Sequence, residues 1–163
     1  ILEFSDVNFI TLQKDVDFIK KYIELQRLSH DFKFQSKINV STSLDLSQIY
    51  VPPMLIQPAV ENAILHGAIE AENGVVTIDY IQNGSHIEIK ISDNGNRKTK
   101  KANSASKLNR SMSTDITFKR IKNIRHVHGI DVFYKAFEPE RNQDKSVVLF
   151  RFPIDFKPAL ALN

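Results

Sequence analysis

Three side chains with chemical capacity sit within one short run, Val60-Glu61-Asn62-Ala63-Ile64-Leu65-His66-Gly67. A carboxylate, an amide and an imidazole among aliphatic residues suit a helix that packs on one side and holds a ligand on the other. A buried helix would not carry them without partners. Leu55, Ala59, Asn62 and His66 fall at steps of four, three and four, so they share a face. Ile56, Val60, Ala63 and Ile64 fall on the adjoining core faces. Plainer readings stay open: a satisfied core amide at Asn62, a histidine favoured at a helix end before Gly67, and a solvated Glu61 that orients nothing.

A second candidate is Asp93. Ile87, Ile89 and Ile91 share one parity of a strand, and Asp93 continues it. It is either a turn aspartate, since Asp93-Asn94-Gly95 favours a sharp turn, or a buried acceptor for an exocyclic amine. A third is the stretch 94–113. It carries Arg97, Lys98, Lys100, Lys101, Lys107 and Arg110 and no acid. Six positive charges exceed the net +3 of the whole chain, so the basicity is local. It reads as a solvated loop or as a cover over an anionic ligand. The amides near Ser113 and Thr114, at the start of the next helix, would add a phosphate-binding device. Nucleic acid is the weaker partner, because no aromatic residues are interleaved with the charges.

The elements that must position these groups follow from period and punctuation. Thr11 is an N-cap for a helix with Leu12, Val16, Ile19 and Ile23 as its stripe, ending near His30. Phe34, Ile38 and Val40 alternate with polar residues as a half-buried strand. Pro52-Pro53 opens the second helix, and 67–74 is a loop. Val75 to Ile81 and His86 to Ser92 form a hairpin at Asn83-Gly84. A third helix runs from about Thr114 to His128, closed by Gly129. Strands at 130–137 and 146–152 follow, and the second, apolar on both parities, should be central. This predicts an α+β fold: a two-layer sandwich of about three helices on a mixed, largely antiparallel sheet.

The chain has 163 residues, 42% of them apolar, enough for one domain with a real core. It has no cysteine, which excludes disulfides and thiolate metal sites. No run is long enough to span a membrane, and Ile1-Leu2-Glu3-Phe4 is no signal peptide. A start at Ile1 reads as an excised or processed fragment.

Pro52 to Gly67, followed by Ile91-Ser92-Asp93-Asn94-Gly95, resembles the ATP-binding domain of the LytS-like sensor histidine kinases. They belong to the superfamily of gyrase, heat-shock chaperone ATPases, histidine kinases and MutL, with its Bergerat-type fold. Tyr22-Ile23-Glu24-Leu25-Gln26 is similar to the segment that precedes that domain. Ile116-Thr117 and Arg120-Ile121 resemble its last glycine box and the helix behind it. The resemblance divides the chain into a leading helix (1–30), an ATP-binding domain (31–157) with a basic lid at about 96–113, and a tail (158–163).

It implies that Asn62 holds Mg²⁺ against the triphosphate, that Asp93 accepts from the adenine amino group, and that Gly95 lets the backbone pass close to the base. Glu61 and His66 would line the phosphate end, and Asn96, Ser113 and Thr114 would help bind ATP. It further implies phosphoryl transfer to a histidine upstream of this chain, a response regulator as partner and homodimerisation in the full protein. The implied location is the cytoplasmic part of a membrane-anchored bacterial receptor.

The superfamily's ATPases carry a base carboxylate one turn before the asparagine. Here that position is Pro58, which argues against hydrolysis by that route. Arg97 stands at the second glycine of the first box and Ser113 at a glycine of the lid box, and none occurs between Gly95 and Gly129. These departures keep two alternatives in view: a degenerate nucleotide-binding or interaction module, and an unrelated α+β binding domain. The five histidines do not match the family's phosphoacceptor, so this segment should not autophosphorylate alone.

Overall fold

The computed structural model describes residues 9–95, 104–137 and 145–159, and only the backbone of 104–113. The elements run β1 (Ile10–Thr11), α1 (Leu12–Ser29), β2 (Phe34–Val40), β3 (Tyr50–Val51), α2 (Gln57–Leu65), β4 (Gly74–Asn83), β5 (His86–Asp93), α3 (Ser104–His128), β6 (Phe133–Phe137) and β7 (Ser146–Pro153). Five strands make one sheet in the order β2-β4-β5-β7-β6. The pair β2-β4 is parallel and the other three are antiparallel. β1 and β3 form a separate two-stranded ribbon. Three helices on a mixed sheet is the α+β sandwich expected from the sequence.

Period two decides which sheet face is covered. Val76, Ile78 and Tyr80 on β4, Ile87, Ile89 and Ile91 on β5, and Phe150 and Phe152 on β7 are all buried. Their alternates Thr77, Glu88 and Lys90 are not. Against this face lie Val16, Ile19 and Ile23 of α1, Val60 and Ile64 of α2, and Ile121 and Ile124 of α3 in one core cluster. Each such side chain contributes about 1.5–3 kcal/mol by leaving water. β7 lies between β5 and β6, as its two-sided apolar pattern requires.

α1 starts where predicted. The Thr11 hydroxyl accepts from the Lys14 amide at 3.4 Å, and its φ and ψ of −65° and 148° are those of an N-cap. The helix closes at His30, after which Asp31 and Phe32 turn through positive φ. The β4–β5 turn lies one residue later than expected. Asn83 pairs with His86, so Gly84 and Ser85 form the turn, with Gly84 at φ 59°. Glycine takes this conformation without the Cβ clash that others meet.

Two helices begin elsewhere than expected. α2 starts at Gln57 and not at Pro52-Pro53, because Pro53 disfavours a helical Pro52 and Met54 sits at φ 56°. Leu55 is therefore a core residue before the helix, 1% exposed, and no longer part of its functional face. α3 starts at Ser104, ten residues before Thr114, so half of the expected lid is helical backbone. Most of those ten residues are good or tolerable helix formers with no glycine or proline to stop the helix. The rest of that stretch (96–103), the polar loop at 138–144 and the last residues of the tail (160–163) lie outside the described residues.

Candidate functional site

α2 is held at both ends. Pro58 occupies its first turn, where a missing N–H costs nothing. The Ala59 and Val60 amides bond the Ile56 carbonyl at 3.0 and 3.1 Å. Upstream, the Arg120 guanidinium of α3 donates to the Pro53 and Met54 carbonyls at 2.8 and 2.9 Å. At the other end the His66 amide bonds the Asn62 carbonyl at 3.0 Å. Val60, Ala63 and Ile64 face the core, Asn62 is half-buried and Glu61 is exposed. Among the described residues the Asn62 side-chain amide has no hydrogen-bond partner.

Asp93 closes β5 and is 3% exposed. Its Oδ1 accepts from the Gly95 amide at 3.0 Å, so it is a turn aspartate and a buried one at once. Asn94 fixes the same turn by donating to the Asn73 carbonyl at 2.8 Å and accepting from the Val75 amide at 2.7 Å. Gly67 and Gly95 meet here. A Cβ on Gly95 would lie 2.4 Å from the Gly67 Cα, and one on Gly67 would lie 2.2 Å from Asp93 Oδ1. The motif's two glycines thus let its halves touch and seat the Asp93 carboxylate.

Between these halves and α3 lies a cleft of about 110 Å³. α2 supplies Pro58, Ala59, Asn62 and Ala63, β5 supplies Ile91 and Asp93, and α3 supplies Thr114 and Thr117. Tyr134, Ala136 and Phe137 of β6 and Ser146 to Val148 of β7 complete the wall. Residues 31 positions apart in the chain, Asn62 and Asp93, therefore face one space. Ser146 pairs with Asp93 across the β5–β7 ladder, is 4% exposed, and its hydroxyl has no partner among the described residues. Burial raises the pKa of Tyr134, and its hydrogen bond with the Thr114 side chain opposes that shift.

Several expected site residues lie apart from this cleft. Glu61 accepts from the Tyr22 hydroxyl of α1, to which Gln57 also donates. Burial first, then the Glu61 charge, pushes the Tyr22 pKa up to about 12. Neither Glu61 nor His66 is among the residues lining the cleft. Asn96 and the Ser113 side chain are outside the described residues. The amides of 113–116 are interior to α3 rather than at its N-terminus, so they are committed to the helix and do not form the expected anion site.

No protein-family model matches the chain. In sequence it is 33% identical over 89 residues to the sensor histidine kinase BtsS of Escherichia coli K12, covering 53% of this chain and 15% of that one. It is 29% identical over 97 residues to the sensor protein LytS of Oceanobacillus iheyensis, covering 58% and 16%. In structure it is similar to the catalytic domain of histidine kinase ThkA, with a TM-score of 0.60 at 13% identity over 91% of this chain and 96% of that one. The chain has the fold of histidine-kinase catalytic domains. The chain matches only about one sixth of the length of these sequence relatives.

Sequence reasoning missed Ser146 and named Thr117 only within the resemblance to the last glycine box, not as a residue of the cleft. Ser146 had a signal: it shares the inward parity of Val148, Phe150 and Phe152. Thr117 falls a turn before Ile121 on the buried side of α3.

Proposed function

We propose that this chain binds Mg-ATP in the cleft between α2, α3 and the ends of β5 and β7, and presents it for phosphoryl transfer to a histidine on another segment of a sensor kinase. The observation that carries this reading is the convergence of Asn62 and Asp93 on one cleft. A carboxylate held in place by the Gly95 amide can accept from the adenine amino group, and the Ser146 hydroxyl beside it, unpaired among the described residues, can serve the same ring edge. Apolar Ala63, Ile91 and Val148 suit the ring faces. The Asn62 amide oxygen, uncommitted among the described residues, fits a hard cation held mainly by phosphates. No cluster of three His, Cys, Asp or Glu occurs among those residues. Bound Mg²⁺ would neutralise charge on the triphosphate. The protein's part is positioning and exclusion of water. Pro58, where a base carboxylate would stand, supports transfer over hydrolysis.

On this reading Glu61 braces α2 against α1, and 96–113 is the basic lid. The phosphoacceptor helix and response regulator are partners outside this chain. The full protein is a homodimer, with this domain in the cytoplasm beneath a membrane-anchored receptor. A second reading, a nucleotide site that is weak or lost, is favoured by the size of the cleft. About 110 Å³ is under the roughly 300 Å³ at which small-molecule sites begin.

Calorimetry with a non-hydrolysable ATP analogue and Mg²⁺ separates the two. Binding in the micromolar to millimolar range that weakens about tenfold or more in Asp93→Asn supports the first, as expected when a charged acceptor is lost. No heat at millimolar nucleotide supports the second.

A further inference from the structure

Arg120 lies on α3. Its guanidinium spans to a different element, where it takes two successive carbonyls, Pro53 and Met54, at 2.8 and 2.9 Å. Such pairing needs an unusual backbone. In an extended chain successive carbonyls point to opposite sides, and here Met54 at φ 56° reverses the chain. A left-handed non-glycine residue persists only where its surroundings over-determine it, and such residues gather at ligand clamps. Three residues after Met54, α2 begins and presents Pro58, Ala59 and Asn62 to the cleft. One turn before Arg120 on α3, Thr117 is 4% exposed and lines the opposite wall.

We propose that Arg120 is a positioning residue: by clamping the Pro53 and Met54 carbonyls it sets the start of α2 against α3 and so fixes the spacing of the cleft between Asn62 and Thr117. The proposal rests on the nucleotide-site reading for its functional consequence, but the clamp itself is independent of it.

The test compares the unmodified chain with Arg120→Met, Arg120→Lys and a control, Arg125→Met, which removes an ion pair to Asp131 further along the same helix. Two quantities are read: hydrogen exchange of the Ala59 and Val60 amides, and the Kd for Mg-ATP. In Arg120→Met both should rise about tenfold, the size expected for losing bonds from a charged donor. Arg120→Lys, able to serve a carbonyl, should recover part of each. Arg125→Met should leave both unchanged even if thermal stability falls. Unchanged exchange at α2 in Arg120→Met overturns the clamp, as does an equal change in the control. Faster exchange at α2 with an unchanged Kd overturns its role in the site. If the unmodified chain binds no nucleotide, the site reading falls and the exchange result alone decides the clamp. Should Arg120→Met not fold, Arg120→Lys carries the same comparison: unchanged exchange overturns, and faster exchange supports.

Discussion

Asp15 shows how much a single side chain can escape a sequence reading. A carboxylate in the first turn of a helix is ordinary, because the dipole favours it there. Yet Asp15 is 2% exposed, its Oδ2 has no hydrogen-bond partner among the described residues, and burial pushes its pKa from 3.8 up to about 7. The buried Tyr80 hydroxyl is also unpartnered, and its pKa is raised by burial and then by the Asp15 charge. Since the folded pKa lies above the unfolded one, the unfolded chain releases this proton first as pH rises. Stability from this group is complete below about pH 4 and lost as pH passes 7, by at most about 4 kcal/mol. Thermal unfolding of Asp15→Asn should therefore diverge from that of the native chain between about pH 4 and 7, with the variant increasingly the more stable. Parallel profiles would contradict the burial of a charge-bearing group. Asn62 and Asp93, by contrast, were legible because amide and carboxylate stood out against apolar periodicity. Ser146 was not, since a serine opening a strand looks like a turn residue.

At the scale of elements, the regular ones were legible and the junctions less so. Period two placed β4, β5 and β7, and the two-sided apolar run made β7 central. The start of α2 was misplaced because proline signals a first helical turn, whereas here the left-handed Met54 holds the chain out of the helix until Gln57. The start of α3 was misplaced because clustered charge reads as loop, although lysine and arginine favour helix as single residues. The crossing of the α2 exit with the β5 exit was also hidden: neither glycine reveals its contact until both are in place. Gly95→Ala puts a Cβ 2.4 Å from the Gly67 Cα, against backbone that cannot step aside. It should destabilise by about 1–3 kcal/mol and displace Asp93 from the cleft. Urea unfolding measures the first effect, and nucleotide affinity the second. Gly84→Ala is the counterpart, strained by φ but with open space around it, and it should leave nucleotide affinity untouched.

For the molecule as a whole, the α+β class and the mixed sheet follow from the order of elements. The strand order β2-β4-β5-β7-β6 does not, because which strands pair depends on long-range contacts that periodicity does not encode. That order matters to function. It places β5 next to β7, so Asp93 and Ser146 become neighbours, while the helices bring Asn62 and Thr117 over them. The likeness in fold to histidine-kinase catalytic domains agrees with the α+β class and the mixed sheet.

The central claim is that a buried carboxylate in this cleft reads an adenine amino group. Competition between ATP and GTP for the unmodified chain, with Mg²⁺ present, tests it most directly. Adenine offers a donor at its exocyclic position and guanine an acceptor, and a site built to receive a donor rejects its absence strongly. The account predicts at least about a hundredfold preference for ATP, collapsing in Asp93→Asn. Equal affinity for the two nucleotides, or a preference that survives the substitution, would contradict it.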